Sequence, residues 1–297
     1  EQVYTTGAGL EDKSTDWGYL AVAGEQLVGS RVVPESSYTS FNGPDKWYDE
    51  TSGGYGTSQV ISRSIFSLAR DDGRVRWNRE SGVILNSTIT IGGGRLYYIE
   101  TTSSSLVNAG VGRTGSADLW RNNYMVALDL ATGEVIWRRP LTLPASPAPL
   151  VAFLLYSDER LITSIANSRY HVTCYSATNG SRQWSQDHSW NRNHHGGHMY
   201  HPVVVGDTVI VEPRGYDLFS GGSVFNSLPS RGGCSTMSAA ARTVVYVDWD
   251  YDNGSFGFWD VDSGARVQKA GSRGSCWLGL ISGGGMVFSP TASSGCV

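Results

Sequence analysis

No apolar run in this 297-residue sequence approaches the length of about 18 residues that a membrane-spanning helix needs. Basic residues are not in excess either, because 23 Lys and Arg stand against 27 Asp and Glu, for a net charge of −4. A nucleic-acid-binding protein normally carries a basic face, so we predict neither a nucleic-acid partner nor a membrane span. No stretch has the periodicity of a long amphipathic helix. The chain is therefore predicted to consist of strands and turns.

Glycine and aromatic residues are abundant, with 37 Gly, 10 Trp and 15 Tyr, and they recur in a repeated phrase. Three segments read as strand, tight turn and strand, with a Gly four residues before a Trp: residues 67–77, 127–137 and 174–184. Two weaker copies occupy residues 216–225 and 259–268. Recurrence at roughly 40–60 residues in strand-forming sequence predicts an all-β fold, a β-propeller of four-stranded antiparallel blades.

A second hairpin precedes each copy of the phrase, and pairing the hairpins divides the chain into blades. This predicts five blades at residues 17–77, 83–137, 150–184, 201–225 and 234–268, and half a blade at 276–290. A ring does not close on half a blade, so we predict about six to eight blades in the complete propeller. Residues 1–16 or another chain could instead complete the last blade, because an open strand edge is an aggregation hazard. Residues 1–297 are then a single propeller domain, which we expect to be part of a larger chain.

Two of the four cysteines have matching surroundings, since Cys234 lies in RGGCS and Cys276 in RGSCW, one repeat apart. Equivalent positions of adjacent repeats lie close together in a repeat array. We therefore predict a disulfide between Cys234 and Cys276, with two buried thiols as the alternative. A disulfide would indicate an oxidising compartment.

The phrase ALDLATGEVIW at residues 127–137 resembles the repeat of the PQQ-like propeller superfamily, which includes quinoprotein alcohol dehydrogenases and BamB. The resemblance implies that each Trp docks between neighbouring blades and that each Gly closes a turn. It extends to these residues: Gly73, Trp77, Gly133, Trp137, Gly180 and Trp184. It weakens after residue 200, where Phe225 and Gln268 replace the Trp. The later part is similar to bacterial domains inside larger exported proteins, which implies a periplasmic or extracellular location.

The same resemblance bears on cofactors. Quinoprotein dehydrogenases share a vicinal Cys-Cys pair, a Trp floor and a carboxylate-bound calcium. This chain has no Cys-Cys pair and its carboxylates do not follow that pattern, so we do not expect bound pyrroloquinoline quinone (PQQ).

Five of the six histidines fall within residues 188–201, in the segment DHSWNRNHHGGHMYH. Neutral imidazoles suit zinc or copper, so this tract predicts a divalent metal site. We assign its ligands to His194, His195, His198 and His201. The alternative is a polar loop whose imidazoles only make hydrogen bonds. Calcium is a further candidate at Asp248, Asp250 and Asp252, although the spacing fits an Asn-Gly turn better than a calcium loop.

Aromatic and basic side chains around the tract predict a ligand-binding site formed by Trp190, Arg192, Tyr200 and Arg214. The same residue types would suit a lyase of uronate polymers. Such an enzyme needs one group that neutralises the uronate carboxylate and a base that takes the C5 proton. The spacing assigns no catalytic residue.

We conclude from the sequence that the chain is an exported propeller, a binding or scaffold domain of a larger bacterial protein or assembly. Its partner is another protein or the remainder of its own polypeptide, bound at the rim near residues 188–201. The alternative is a catalytic propeller, with either a His-coordinated metal or lyase activity on a polysaccharide.

Overall fold

The computed structural model describes residues 15–36, 58–144, 146–189, 201–228, 236–248, 255–270 and 280–289. Strands make up most of this part of the chain, which confirms the all-β class. Its helical segments are short: α1 (Ser104–Val107) and two 3₁₀ turns, Asn86–Thr88 and Ala117–Trp120. Within the described ranges, no helix is long and apolar enough to cross a membrane.

The chain forms two compact units, which are described separately. The first contains the described residues up to Asn167 together with Tyr175–Arg182. The second contains Ser168–Cys174 and the described residues from Gln183 onward. The prediction of one domain over residues 1–297 stays a prediction.

The first unit has two antiparallel blades and a further hairpin. Strands β1 to β4 form one blade in sequence order, β5, β6, β8 and β9 form the next, and β10 pairs with β11. Their bounds are β1 (Asp16–Ala23), β2 (Gln26–Val32), β3 (Gln59–Ala69), β4 (Val75–Leu85), β5 (Thr90–Gly92), β6 (Arg95–Thr101), β7 (Arg113–Thr114), β8 (Asn123–Asp129), β9 (Val135–Leu141), β10 (Val151–Ser157) and β11 (Arg160–Ala166).

One strand differs from the sequence expectation. The second blade was predicted to begin at residue 83, but residues 83–85 belong to the long outer strand β4 of the first blade, and the inner strand β5 begins only at Thr90. The reason is a second pairing partner, since Val83 and Ile84 lie opposite Thr101 and Glu100 of β6. This pairing joins the two blades into one sheet.

The second unit holds the later strands, and β12 and β13 each have residues in both units. Strands β14 to β17 form one four-stranded antiparallel sheet, β18 to β21 another, and β22 pairs with β23. The bounds are β12 (Arg169–Ser176), β13 (Arg182–Ser189), β14 (Val203–Val205), β15 (Thr208–Val211), β16 (Arg214–Asp217), β17 (Ser223–Phe225), β18 (Ser238–Ala240), β19 (Thr243–Asp248), β20 (Ser255–Asp260), β21 (Arg266–Ala270), β22 (Ile281–Gly283) and β23 (Met286–Phe288).

Apolar side chains from neighbouring blades form the cores. In the first unit, Tyr97 and Ile99 of β6 pack in one buried cluster with Leu154 and Leu161 of the β10–β11 hairpin. In the second unit, Val205 and Ile210 pack with Val244, Tyr246 and Trp259 of the following sheet. These blade-to-blade contacts, with the four-stranded antiparallel sheets, are those of a β-propeller, as predicted.

The repeated phrase forms the same turn in all five copies. In each copy the glycine N–H donates to the main-chain oxygen four residues earlier, as Gly133 does to Asp129 at 2.8 Å. The five turn glycines, Gly73, Gly133, Gly180, Gly221 and Gly264, have φ between 69° and 73°. Side chains other than glycine are strained at such angles, which explains the residue type.

The tryptophans of the phrase contact the turn of the following repeat. Each indole Nε1 donates to a main-chain oxygen there, at 2.9–3.0 Å: Trp77 to Leu130, Trp137 to Ala177 and Trp184 to Leu218. This is the docking role that the resemblance implied.

The two ends of each blade differ. The links at one end, which we call the turn end, all have two or five residues, as in the β5–β6 and β8–β9 turns. Because neighbouring strands are antiparallel, the other links lie at the opposite end, the connection end. The links at this end vary in length, since two residues join β11 to β12 and β15 to β16 whereas the segment 102–122 joins β6 to β8, and β13 ends here at Ser189.

Candidate functional site

Most of the predicted site lies outside the described residues. This applies to Trp190, Arg192, His194, His195, His198 and Tyr200, and to both cysteines of the predicted disulfide, Cys234 and Cys276. Their assignments therefore stay predictions. The described part of the chain contains His188, His201 and Arg214 from the same region, so these three can be placed.

His188, near the end of β13, is a buried histidine with both ring nitrogens engaged. Its side chain is 1% exposed. Nδ1 accepts a hydrogen bond from the Tyr216 hydroxyl at 2.7 Å, and Nε2 donates to the Glu212 oxygen at 3.2 Å. Burial lowers the pKa of His188 to about 4, and the positive charge of Arg214 acts in the same direction. The ring is neutral at pH 7 and its nitrogens are already used, so it is a structural residue and not a metal ligand.

Arg214 and Tyr216 on β16 lie beside this histidine, so the structure brings together a His, a Tyr and an Arg. Tyr216 is 2% exposed, and burial raises the pKa of its hydroxyl, although the nearby Arg214 opposes that shift. A neutral imidazole hydrogen-bonded to a protonated phenol is stable in such an environment. Because both rings are buried, this trio stabilises the contact between β13 and the sheet that contains β16, and it does not present an acid–base pair to solvent.

Among the four histidines predicted to bind a metal, His201 is the one that lies within the described residues. Its Nδ1 donates to the main-chain oxygen of Pro202 at 2.9 Å, and burial lowers the pKa of the imidazole. A neutral ring with this tautomer has its lone pair on Nε2, as a metal ligand requires. Among the described residues, no group of three His, Cys, Asp or Glu side chains is arranged to hold a metal.

Asp248, the first aspartate of the calcium candidate, forms an ion pair with Arg266 of the same sheet. Its Oδ2 accepts hydrogen bonds from both Arg266, whose Nε lies at 3.2 Å, and Gln268, at 2.6 Å. The carboxylate is fully buried, and a buried charge needs such a partner. Asp250 and Asp252 lie outside the described residues.

The segment 102–122, which we call the insertion, forms an ordered structure at the connection end of the first unit. Strand β7 of the insertion pairs with β3, with Gln59 opposite Thr114. Helix α1 is held by Arg63, whose guanidinium donates to the main-chain oxygens of Leu106 and Val107 at 2.8 and 2.7 Å. The insertion of the second blade is thereby fixed to the first blade.

A cleft of about 150 Å³ lies between the insertion and the segment that leads into β10. Its lining includes Gln59 of β3, Thr114, Leu119 and Trp120 of the insertion, and Pro149 and Leu150 of the connecting segment. Gln59 donates to the Leu150 oxygen at 3.1 Å, and Leu150 in turn donates to the Ala166 oxygen at 2.7 Å. The wall is therefore fixed before any ligand binds.

Sequence reasoning missed this cleft. In the sequence the insertion is a polar segment rich in Ser, Asn and Gly, between two strands. The available signal was Leu119-Trp120, an apolar pair inside that polar stretch. Nothing local connects it with Gln59 or Leu150, which meet it only in the folded blades.

The repeated turns, the blade sheets and the docked tryptophans define a propeller built from PQQ-like repeats. The chain belongs to the family described as outer membrane protein assembly factor BamB, which it matches over residues 62–233. The sequence resemblance is thus confirmed. No curated protein sequence matches the chain.

Solved structures align with this chain at low sequence identity. BamB from Moraxella catarrhalis is 15% identical, with 86% of this chain and 77% of that chain covered and a TM-score of 0.45. A europium-containing methanol dehydrogenase is 11% identical, with coverage of 90% and 56% and a TM-score of 0.44. A chain of the mitotic checkpoint complex is 9% identical, with coverage of 90% and 68% and a TM-score of 0.50. At such identities the likeness concerns the fold alone.

Proposed function

We propose that this chain is an exported propeller that binds a protein partner, within a larger bacterial protein or envelope assembly, through the connection ends of its blades. One observation carries the proposal. In the described strands every link at the turn end has two or five residues, whereas the links at the connection end range from two residues, at 167–168 and 212–213, to the whole segment 102–122. Binding residues are typically found on such loops, held by a rigid scaffold.

The tract at residues 188–201 belongs to this proposal as one part of the binding surface. His188 lies next to the last residue of β13, at the connection end, and its ring is held by Tyr216 and the Glu212 oxygen. The aromatic, basic and imidazole side chains of the tract suit a protein interface, where Trp, Tyr and Arg are common anchors.

Membership of the BamB family supports both the partner class and the location. The family description names an outer membrane protein assembly factor, and our proposal carries that kind of role to this chain. The predicted disulfide between Cys234 and Cys276 agrees with the oxidising conditions of an exported protein.

Site-specific photo-crosslinking in cells of the native host tests the proposal. A photoreactive amino acid is placed at Asn108 or Arg121, exposed positions of the insertion at the connection end. Matched positions at the turn end are Asp72 and Ala131, which are also exposed. We expect a discrete protein adduct from the first pair and none from the second. Adducts from the turn end alone, or from neither end, would refute the proposal.

A further inference from the structure

We propose that the cleft beside Trp120 receives one apolar side chain of the protein partner, an aromatic ring or a leucine-sized group, as the anchor of the interface. This inference rests on the proposed function and specifies how the partner is held. The cleft lies at the connection end of the first unit, between the insertion and the segment before β10.

The size of the cleft decides between classes of ligand. Pockets for cofactors and drug-sized molecules enclose about 300–1,000 Å³. This cleft encloses about 150 Å³. A cavity of that volume accommodates a benzene-sized group, as a known engineered cavity does. It is therefore too small for a nucleotide or a sugar chain and suits a single large side chain.

The chemistry of the lining favours an apolar occupant. Leu119, Trp120, Pro149 and Leu150 supply apolar surface. The polar side chains of the lining make internal hydrogen bonds: the Gln59 amide donates to the Leu150 oxygen, and the Thr114 hydroxyl accepts from the Ser116 N–H at 3.0 Å. A polar ligand would have to replace these bonds.

The charges of the insertion favour a neutral occupant as well. Asp118 and Arg121, which flank Leu119 and Trp120, form an ion pair at 2.9 Å. The two charges compensate each other, so this stretch of the wall offers no excess charge to an ionic ligand. A neutral apolar side chain is complementary to a neutral apolar wall.

The walls of the cleft are held in place before binding. Arg63 fixes α1, β7 is paired with β3, and Asn123 donates from its side-chain nitrogen to the Leu119 oxygen at 2.9 Å. On the other side, Asn167 donates to the Pro147 oxygen at 3.0 Å. A preformed pocket loses little freedom when it is filled, and anchor residues of interfaces occupy such pockets.

The first test uses small probes and the whole protein labelled with 5-fluorotryptophan. The ¹⁹F resonance of Trp120 is assigned by its loss in Trp120→Phe. We expect it to shift saturably with N-acetylphenylalaninamide and not with N-acetylglycinamide. Ala117→Phe places a ring at an exposed position of the cleft lining and should abolish the shift, whereas Ala131→Phe at the turn end should not. No saturable shift, or equal shifts in both variants, would overturn the inference.

The second test separates this inference from the proposed function. The adduct formed from the photoreactive residue at Asn108 is measured in the Ala117→Phe and Ala131→Phe backgrounds. We expect Ala117→Phe to lower its yield by at least about tenfold, as the loss of an anchor contact does, and Ala131→Phe to leave it unchanged. An adduct that persists with Ala117→Phe would refute the cleft as the anchor site while the partner stands. If no adduct forms from the connection end in any background, the proposed function fails and this inference fails with it.

Discussion

Gly133, in the turn between β8 and β9, lies directly against the indole of Trp77 on β4. A Cβ atom added to Gly133 would lie 2.6 Å from Cδ2 of Trp77, and the glycine has a φ of 73°. Two separate constraints therefore select glycine here, one from the backbone angle and one from the neighbouring blade.

Gly264 provides a control that separates these two constraints. It has a φ of 69° in the equivalent turn, but nothing lies within 4 Å of its added Cβ. We expect Gly264→Ala to lower the free energy of unfolding by about 1–2 kcal/mol, the cost of a left-handed alanine. Gly133→Ala should cost about 1–3 kcal/mol more because of overpacking. Urea unfolding of both variants measures the difference, and equal losses would contradict the packing constraint.

The bond between Trp137 and Ala177 should have a measurable energy. Trp137→Phe removes the indole N–H and should lower the free energy of unfolding by about 0.5–1.5 kcal/mol, since the Ala177 oxygen loses its donor at 3.0 Å but keeps the Tyr97 hydroxyl at 3.4 Å. Trp137→Ala also removes the packing and should cost about 3–5 kcal/mol. Ile136→Ala on the same strand is the control, because Ile136 is 44% exposed. If the control destabilised the protein as much as Trp137→Ala, the docking role would be wrong.

His188 should make the protein less stable in mild acid. Its pKa in the folded protein is lowered to about 4, whereas an unfolded histidine has a pKa near 6.5. Between these two values the unfolded chain binds a proton that the native ring does not, so stability falls as the pH falls through this window, by up to about 3 kcal/mol. Tyr216 and the Glu212 oxygen face the ring, and Arg169 and Arg214 oppose its charging.

The variant His188→Gln tests this pH dependence, because glutamine keeps a donor and an acceptor but does not titrate. Urea unfolding at pH 7, 6 and 5 gives the slope of stability against pH for each protein. We expect the slope between pH 6.5 and 4 to be smaller in the variant. Equal slopes would mean that His188 is not the titrating group.

The histidine tract remains a predicted metal site. We expect about one equivalent of zinc or copper in the purified protein, measured by elemental analysis. His195→Ala with His198→Ala should remove it. His171→Ala is the matched control, because His171 pairs with Asp187 at 2.7 Å on β12 and β13, outside the tract. A metal-free wild-type protein would refute the metal assignment and leave a hydrogen-bonded polar loop.

The predicted disulfide is tested by alkylation and peptide mass spectrometry. Without reduction, we expect a linked peptide pair containing Cys234 and Cys276. Cys174 is a fully buried cysteine and should react with iodoacetamide only after denaturation. Alkylation of both Cys234 and Cys276 in the unreduced protein would contradict the pairing.

The sequence predicted the parts of the fold that local chemistry determines. One such part is the turn, which a short motif encodes. The motif has a glycine at a left-handed φ and an aspartate whose carboxylate accepts hydrogen bonds from the turn, as Asp129 does from Thr132. The docking of Trp137 followed from the resemblance of that motif to a known repeat. These features recur, so one copy explains the others.

The rest depended on contacts between residues far apart in sequence. His188 is in the histidine tract, but a hydrogen bond from Tyr216 of a neighbouring sheet holds its ring in the protein interior, so it is a structural residue. The extension of β4 through Ile84 required Glu100 as a partner on β6. The cleft depends on the contact between Gln59 and Leu150, and no local sequence pattern predicts that contact.

Each repeat with the full phrase carries an indole donor on its outer strand, which suits a bond to the next repeat. It also carries a main-chain oxygen in its turn, which suits a bond from the repeat before it. Trp77 and Leu130 form one such contact, and Trp184 and Leu218 form another. A duplicated repeat would therefore fit beside its parent without new mutations at the junction. The array can then grow by gene duplication without a new interface having to evolve. Sequence changes can accumulate in the links at the connection ends.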